Sequence, residues 1–243
     1  MGKEGFDNEN QIISYLNCRK FSKLNKNWRN FINYAFGNVS QNEVVKCEKR
    51  AGTNKSDISI KIGKITKTIS IKSGIGNSVH QEPVDDFVSF LKTTYKIDNK
   101  LANEIRFFIW GDGTLNGTGD PKNRLSAPKF RKKFPKIIKN IADFFKINKR
   151  DLIKRFVIIG SKSKSAPDYI YYGNFEKGVW KSAKKVIDWL CDDTNESKGV
   201  IPVGRLTFQA WNRNINGGAK SENKRGVIQL KWASVGKDLK GAI

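Results

Sequence analysis

The chain has 243 residues with 38% hydrophobic content, enough to bury a substantial core, and sets 46 Lys+Arg against 23 Asp+Glu for a formal charge of +23. Such an excess points to a polyanionic partner; no apolar span, lipidation signal or basic amphipathic anchor points to a membrane surface. One histidine and three scattered cysteines, Cys18, Cys47 and Cys191, with no CxxC pair, argue against a structural zinc site and fit reduced thiols in a cytoplasmic setting.

In chain order, "MGKEGFDNEN" has no apolar run behind its charge and so does not read as a signal peptide, and Phe6 stands where a myristoylation signal wants Ser or Thr. Ile12, Ile13 and Leu16, then Trp28, Phe31, Ile32 and Phe36 before Gly37, recur at helical spacing and predict two amphipathic helices. From Glu43 to Ser73 the period changes to two: "EVVKCEKR", "DISIKI" and "TKTISIKS" predict consecutive antiparallel strands, the last two joined at Gly63-Lys64. "KSGIGNSVHQE" predicts a glycine loop leading to a helix entrance, and "PVDDFVSFLKTTYK" the helix itself. "IRFFIW" predicts a buried strand running into a glycine-rich loop, "WGDGTLNGTG". That loop lacks the GK[ST] ending of a Walker motif and so does not read as a nucleotide site; Asp112 in it reads as a turn residue, Asp-Gly being a standard turn pair, or else as a second functional acid. "KFRKKFPKIIKNIADFFKINKRDLIKRFVIIG" predicts two more helices and a buried strand. After it come a short strand, "DYIYYG", a helix, "VWKSAKKVIDWLCDD", and a closing strand pair, "GRLTFQAWNRN" and "RGVIQLKWAS". The expected fold is one α/β domain over residues 1–243: a mixed β-sheet flanked by helices, a core in about residues 1–110, and a β-rich carboxy-terminal half carrying recognition elements.

The chemistry concentrates in "SDISIKIGKITKTISIKS". Asp57 heads one strand; on the next, Ser70 and Lys72 lie two apart and share a face, with Ile71 turned away. Hydrolysing a phosphodiester requires water brought in line with phosphorus and charge stabilised on an already anionic group. That is work for Mg²⁺ held by carboxylate and backbone oxygens, with a lysine to orient or deprotonate the water. The duller reading makes Asp57 and Lys72 solvent-facing charges on a hairpin.

The pair "SD" (Ser56, Asp57) followed by "SIK" (Ser70, Ile71, Lys72) resembles the PD-(D/E)xK nuclease superfamily, which includes most Type II restriction endonucleases. The helix, hairpin, helix order over roughly residues 1–95 fits its core. Two positions depart from the pattern: Ser56 replaces the usual proline, and Ser70 replaces the usual second acid. The resemblance implies a restriction-endonuclease-like core and a sequence-specific double-stranded DNA endonuclease that leaves 5′-phosphate ends, with Mg²⁺ as cofactor, Mn²⁺ as its substitute, and a possible homodimer. It implies metal ligation by Asp57, the Ile71 carbonyl and an upstream glutamate, either Glu9 or Glu48, with Glu82 as a further option, and places Lys72 on the water. Each glutamate also has a structural reading: Glu48 pairs with its basic neighbours, and Glu9 favours a helix start.

Two segments are candidates for DNA contact. Gly74 and Gly76 would let backbone approach a phosphate, with Asn77, Ser78, His80 and Gln81 presented behind them. The closing hairpin mixes Arg205, Gln209, Asn212, Arg213, Asn214, Lys220 and Arg225 with aromatics, and these polar types read base edges in a major groove. "KFRKKFPKIIKNI", residues 129–141, is the densest basic run and reads equally as a solvated helix face. A non-catalytic basic DNA- or RNA-binding protein is the alternative to the enzyme.

Overall fold

The structure, a computed structural model, describes residues 3–52, 54–74, 77–161, 165–211 and 224–241. It is mixed α/β, and its contacts gather into two compact units: residues 1–77, 157–190 and 233–243, and residues 78–156 and 191–232.

The first unit is built on a six-stranded sheet in the order β1 (Arg19–Lys20), β2 (Val44–Lys49), β3 (Ile58–Ile62), β4 (Ile65–Lys72), β6 (Tyr169–Gly173) and β7 (Gly178–Ser182). Only the β4–β6 pairing is parallel; every other neighbour is antiparallel. Helices α1 (Lys3–Leu16) and α2 (Lys26–Phe36) lie where the apolar spacing placed them. Asn25 caps α2 by accepting from the Trp28 N–H at 3.0 Å, and Gly37 ends it with φ +82°. Ile12, Leu16, Trp28, Phe31 and Ile32 bury against Val45, Cys47, Ile58, Ile60, Ile69 and Ile71, with Tyr171 stacked on Trp28 at 4.6 Å. Alternation therefore turns Asp57, Ser59, Ser70 and Lys72 to the opposite face. Helices α8 (Ala183–Cys191) and α9 (Val235–Gly241) complete this unit.

The second unit carries a four-stranded sheet in the order β5 (Asn77–Pro83), β10 (Val227–Trp232), β9 (Leu206–Ala210) and β8 (Ile201–Val203), together with α3 (Val84–Tyr95), α4 (Asn99–Trp110), α5 (Ala127–Lys133), α6 (Pro135–Ile147) and α7 (Lys149–Ile153). Its core is aromatic: the ring of Phe208 lies 4.9 Å from Phe145, 5.7 Å from Phe87 and 6.0 Å from Phe108.

The expected closing hairpin is present as β9 and β10, paired antiparallel. Four expectations are corrected. The "IRFFIW" run is the end of α4, not a strand, because Asp98 accepts from the Leu101 N–H at 2.8 Å and Gly111 closes the helix at φ +64°. The apolar run after α7 is a π-helical segment, Lys154–Ile159, rather than a strand. Residues Gly178–Ser182 pair with β6 instead of opening α8. Asn77–Pro83 is strand β5, and the helix begins only at Val84.

Candidate active site

Asp57 occupies the last backbone rung before β3. Its N–H donates to the Ile69 carbonyl at 2.9 Å, and its own carbonyl accepts from the Arg50 N–H at 3.0 Å. Beyond that rung its carboxylate takes the place of a missing strand: Oδ2 accepts from the Ile71 N–H at 2.6 Å and from the Ser70 hydroxyl at 3.2 Å. Lys72, whose side chain is 15% exposed, donates from Nζ to Ser70 Oγ at 2.7 Å and to the Ile71 carbonyl at 3.0 Å, and lies 3.7 Å from Asp57 Oδ2. Ser70 therefore links ammonium to carboxylate, so the hydroxyl at the second-acid position serves as a relay of hydrogen bonds. Asp57 Oδ1 has no hydrogen bond among the described residues.

Of the two upstream glutamates, Glu9 lies within electrostatic reach of Asp57 and Lys72. It is only 3% exposed, Oε2 lies 3.7 Å from Lys49 Nζ, and Oε1 is buried with no hydrogen-bond partner among the described residues. Burial pushes its carboxyl above the ordinary value, the Asp57 charge adds to the rise, and the ammoniums of Lys49 and Lys72 oppose it. Lys49 is held from the other side by Phe6, its Nζ 3.4 Å from the ring centroid. Glu48, next to Lys49 on β2, is exposed and opposite Ser59, with no side-chain hydrogen bond or ion pair among the described residues. Lys49 had not been singled out from the sequence. Its signal is the alternation of β2, which puts it on the Cys47 face that α1 covers.

An oxygen-seeking divalent cation fits this donor set. Two carboxylates and the Ile71 carbonyl are hard oxygen donors, and the unpartnered Glu9 Oε1 and the mutual repulsion of Glu9 and Asp57 are both conditions that a cation relieves. Among the described residues no group of three His, Cys, Asp or Glu side chains gathers at one point.

Glu82 does not offer a free carboxylate. In the second unit its two oxygens accept from Arg155 Nη2 at 3.0 and 2.7 Å, and Oε1 also lies 2.8 Å from His80 Nε2. These bonds hold its carboxyl below the ordinary value against the opposing effect of burial. His80, proposed for DNA contact, is 5% exposed, with its ring 5.1 Å from that of Phe156. Arg225, proposed to read bases, is instead a buried partner of Asp112, bonded at 2.9 Å, and Asp112 also accepts from the Thr114 N–H at 3.0 Å in a tight turn. Arg205 is likewise 9% exposed, 3.9 Å from Asp192. Gln209 donates to Gln229 across the β9–β10 pair at 2.9 Å. Ser78 accepts from Gln81 at 2.9 Å, and Asn77 donates to the Gly74 carbonyl at 3.1 Å. Asn212, Arg213, Asn214 and Lys220 lie outside the described residues.

No family model matches the chain. No curated protein sequence matches it either. Among solved structures, that of the restriction endonuclease MspI in complex with its cognate DNA is similar over 77% of this chain and 70% of that one, at 15% identity and a TM-score of 0.48. The chemistry of the Asp57 cluster follows from its own atoms.

Proposed function

We propose that the protein is a Mg²⁺-dependent double-stranded DNA endonuclease. The observation that carries this reading is the cluster of Asp57, Ser70, the Ile71 carbonyl and Lys72, with the half-satisfied carboxylate of Glu9 electrostatically coupled to it. Asp57, Glu9 and the Ile71 carbonyl would hold the cation, which when bound supplies Lewis-acid stabilisation of the charge growing on the phosphate. Lys72 aims its ammonium at the reacting centre, where it orients the attacking water and offsets developing charge; Ser70 and the Ile71 carbonyl fix its direction. In-line attack by that water would leave a 5′-phosphate. The charge of +23 supports a polyanionic substrate, and sequence specificity belongs to the same proposal.

The test is incubation of supercoiled plasmid with the protein and Mg²⁺, alongside Lys72→Ala and Asp57→Asn, followed by sequencing of the fragment ends. Discrete ends bearing 5′-phosphates are expected from the wild type, with cleavage falling roughly 10²–10⁴-fold in either variant. Binding without Mg²⁺-dependent cleavage would refute the enzyme and leave the basic DNA- or RNA-binding protein, a reading that Ser70 at the second-acid position favours.

A further inference from the structure

On the face of the first sheet that carries Asp57, Lys46 of β2 stands directly opposite Lys61 of β3. Side chains so placed are about 5 Å apart at their Cβ atoms, and two ammoniums there repel. Both are exposed, and neither has an ion pair or hydrogen bond among the described residues. Beside them the turn Ser40–Glu43 is closed by the Glu43 N–H on the Ser40 carbonyl at 3.1 Å. It is pinned from outside by the Phe21 N–H on Glu43 at 2.8 Å and the Ser22 N–H on Gln41 at 3.1 Å. Gly63, at φ +55°, would meet nothing within 4 Å if it carried a Cβ, so it leaves one side open. The result is an open cavity of about 450 Å³ on the surface, lined by the exposed residues Ser40, Asn42, Glu43, Val44, Lys46, Lys61 and Gly63.

We propose that this cavity binds a phosphate ester, seated between the Lys46 and Lys61 ammoniums with the Ser40 hydroxyl and Asn42 amide as neutral donors. Two cations against the single carboxylate of Glu43 leave the pocket with a net positive charge, and an anion between the lysines removes a repulsion that the empty strand pair must bear. The volume lies in the range of small-ligand sites and admits a phosphate with its attached sugar. Asp57 lies four residues before Lys61 on the same face, roughly 14 Å along the strand at about 3.4 Å per residue. A DNA backbone engaged at Asp57 can therefore place a phosphate a few nucleotides from the cut in the cavity, a form of the proposal that rests on the nuclease reading. A free phosphate or mononucleotide would use the same contacts without it.

The experiment compares wild type with Lys46→Met/Lys61→Met, and with Lys46→Met alone should the double variant fail to fold. Thermal unfolding is followed in potassium phosphate against KCl at equal ionic strength, and binding of a 20-base-pair duplex is followed against KCl concentration in EDTA. Phosphate should stabilise the wild type and not the variants, and the slope of log affinity against log salt should shrink by roughly one or two in the double variant. Loss of the phosphate response alone assigns the cavity to free phosphate esters, and a smaller slope alone assigns it to the DNA backbone. If neither quantity changes, the proposal is overturned. A protein that binds phosphate here but never cuts plasmid in Mg²⁺ refutes the nuclease reading and leaves this one standing.

Discussion

Glu9 is a carboxylate kept out of water with one oxygen unpartnered, and its charge has a cost that can be measured. Because its folded-state value is raised, the folded protein binds the Glu9 proton more readily than the unfolded chain does. Stability from this group therefore falls as pH rises from the ordinary value of 4.5 through the raised one, and stays low at neutral pH. Glu9→Gln is accordingly expected to unfold at a higher temperature than wild type in EDTA at neutral pH, and to lose the stabilisation that Mg²⁺ gives the wild type. Thermal melts with and without Mg²⁺ check both, and a less stable variant with an intact Mg²⁺ response would refute the assignment. Cleavage should decline as pH drops through the raised value, since a protonated Glu9 holds no cation. Asp57, Ser70 and Lys72 were legible in the sequence because a two-residue period fixes which side chains share a face. The choice between Glu9 and Glu48 was not, because it depends on how α1 docks against β2, and neither segment records that alone.

At the level of elements, strands with strict alternation and helices with spaced aromatics were readable, and continuous apolar runs were not. "IRFFIW" has no usable period over six residues, so its identity rests on its ends: Asp98 before the first turn and Gly111 after the last. Asp98→Ala should therefore destabilise the protein by about 1 kcal/mol, read from chemical denaturation, whereas a change below a few tenths would show that packing alone holds α4. The β5 strand was hidden for a different reason. Its His80 and Glu82 are polar residues buried only because Arg155, some seventy positions later in sequence, satisfies Glu82, and no local pattern announces such a partner. The same blindness turned Arg225 into an expected base reader when Asp112 had already claimed it.

Across the whole molecule, the order of periodic segments foretold a mixed α/β protein and composition an excess of positive charge, and the described residues include no helix long and apolar enough to cross a membrane. Charge also suited arginines to recognition in general, but it could not distinguish those facing outward from those neutralised inside. One buried group offers a handle on the fold's own opening. The Cys47 thiol lies beneath α1 at 1% exposure, and burial pushes it up to about 12, so in the native state it is neither reachable nor ionised, while Cys18, the residue before β1, stands exposed. A thiol-reactive dye at neutral pH should mark Cys18 within the mixing time of an ordinary assay and reach Cys47 only when the six-stranded sheet parts. Mass spectrometry of Cys47 labelling against time thus becomes a stopwatch for that unit, with rapid labelling of Cys47 in the folded protein the outcome that would break it.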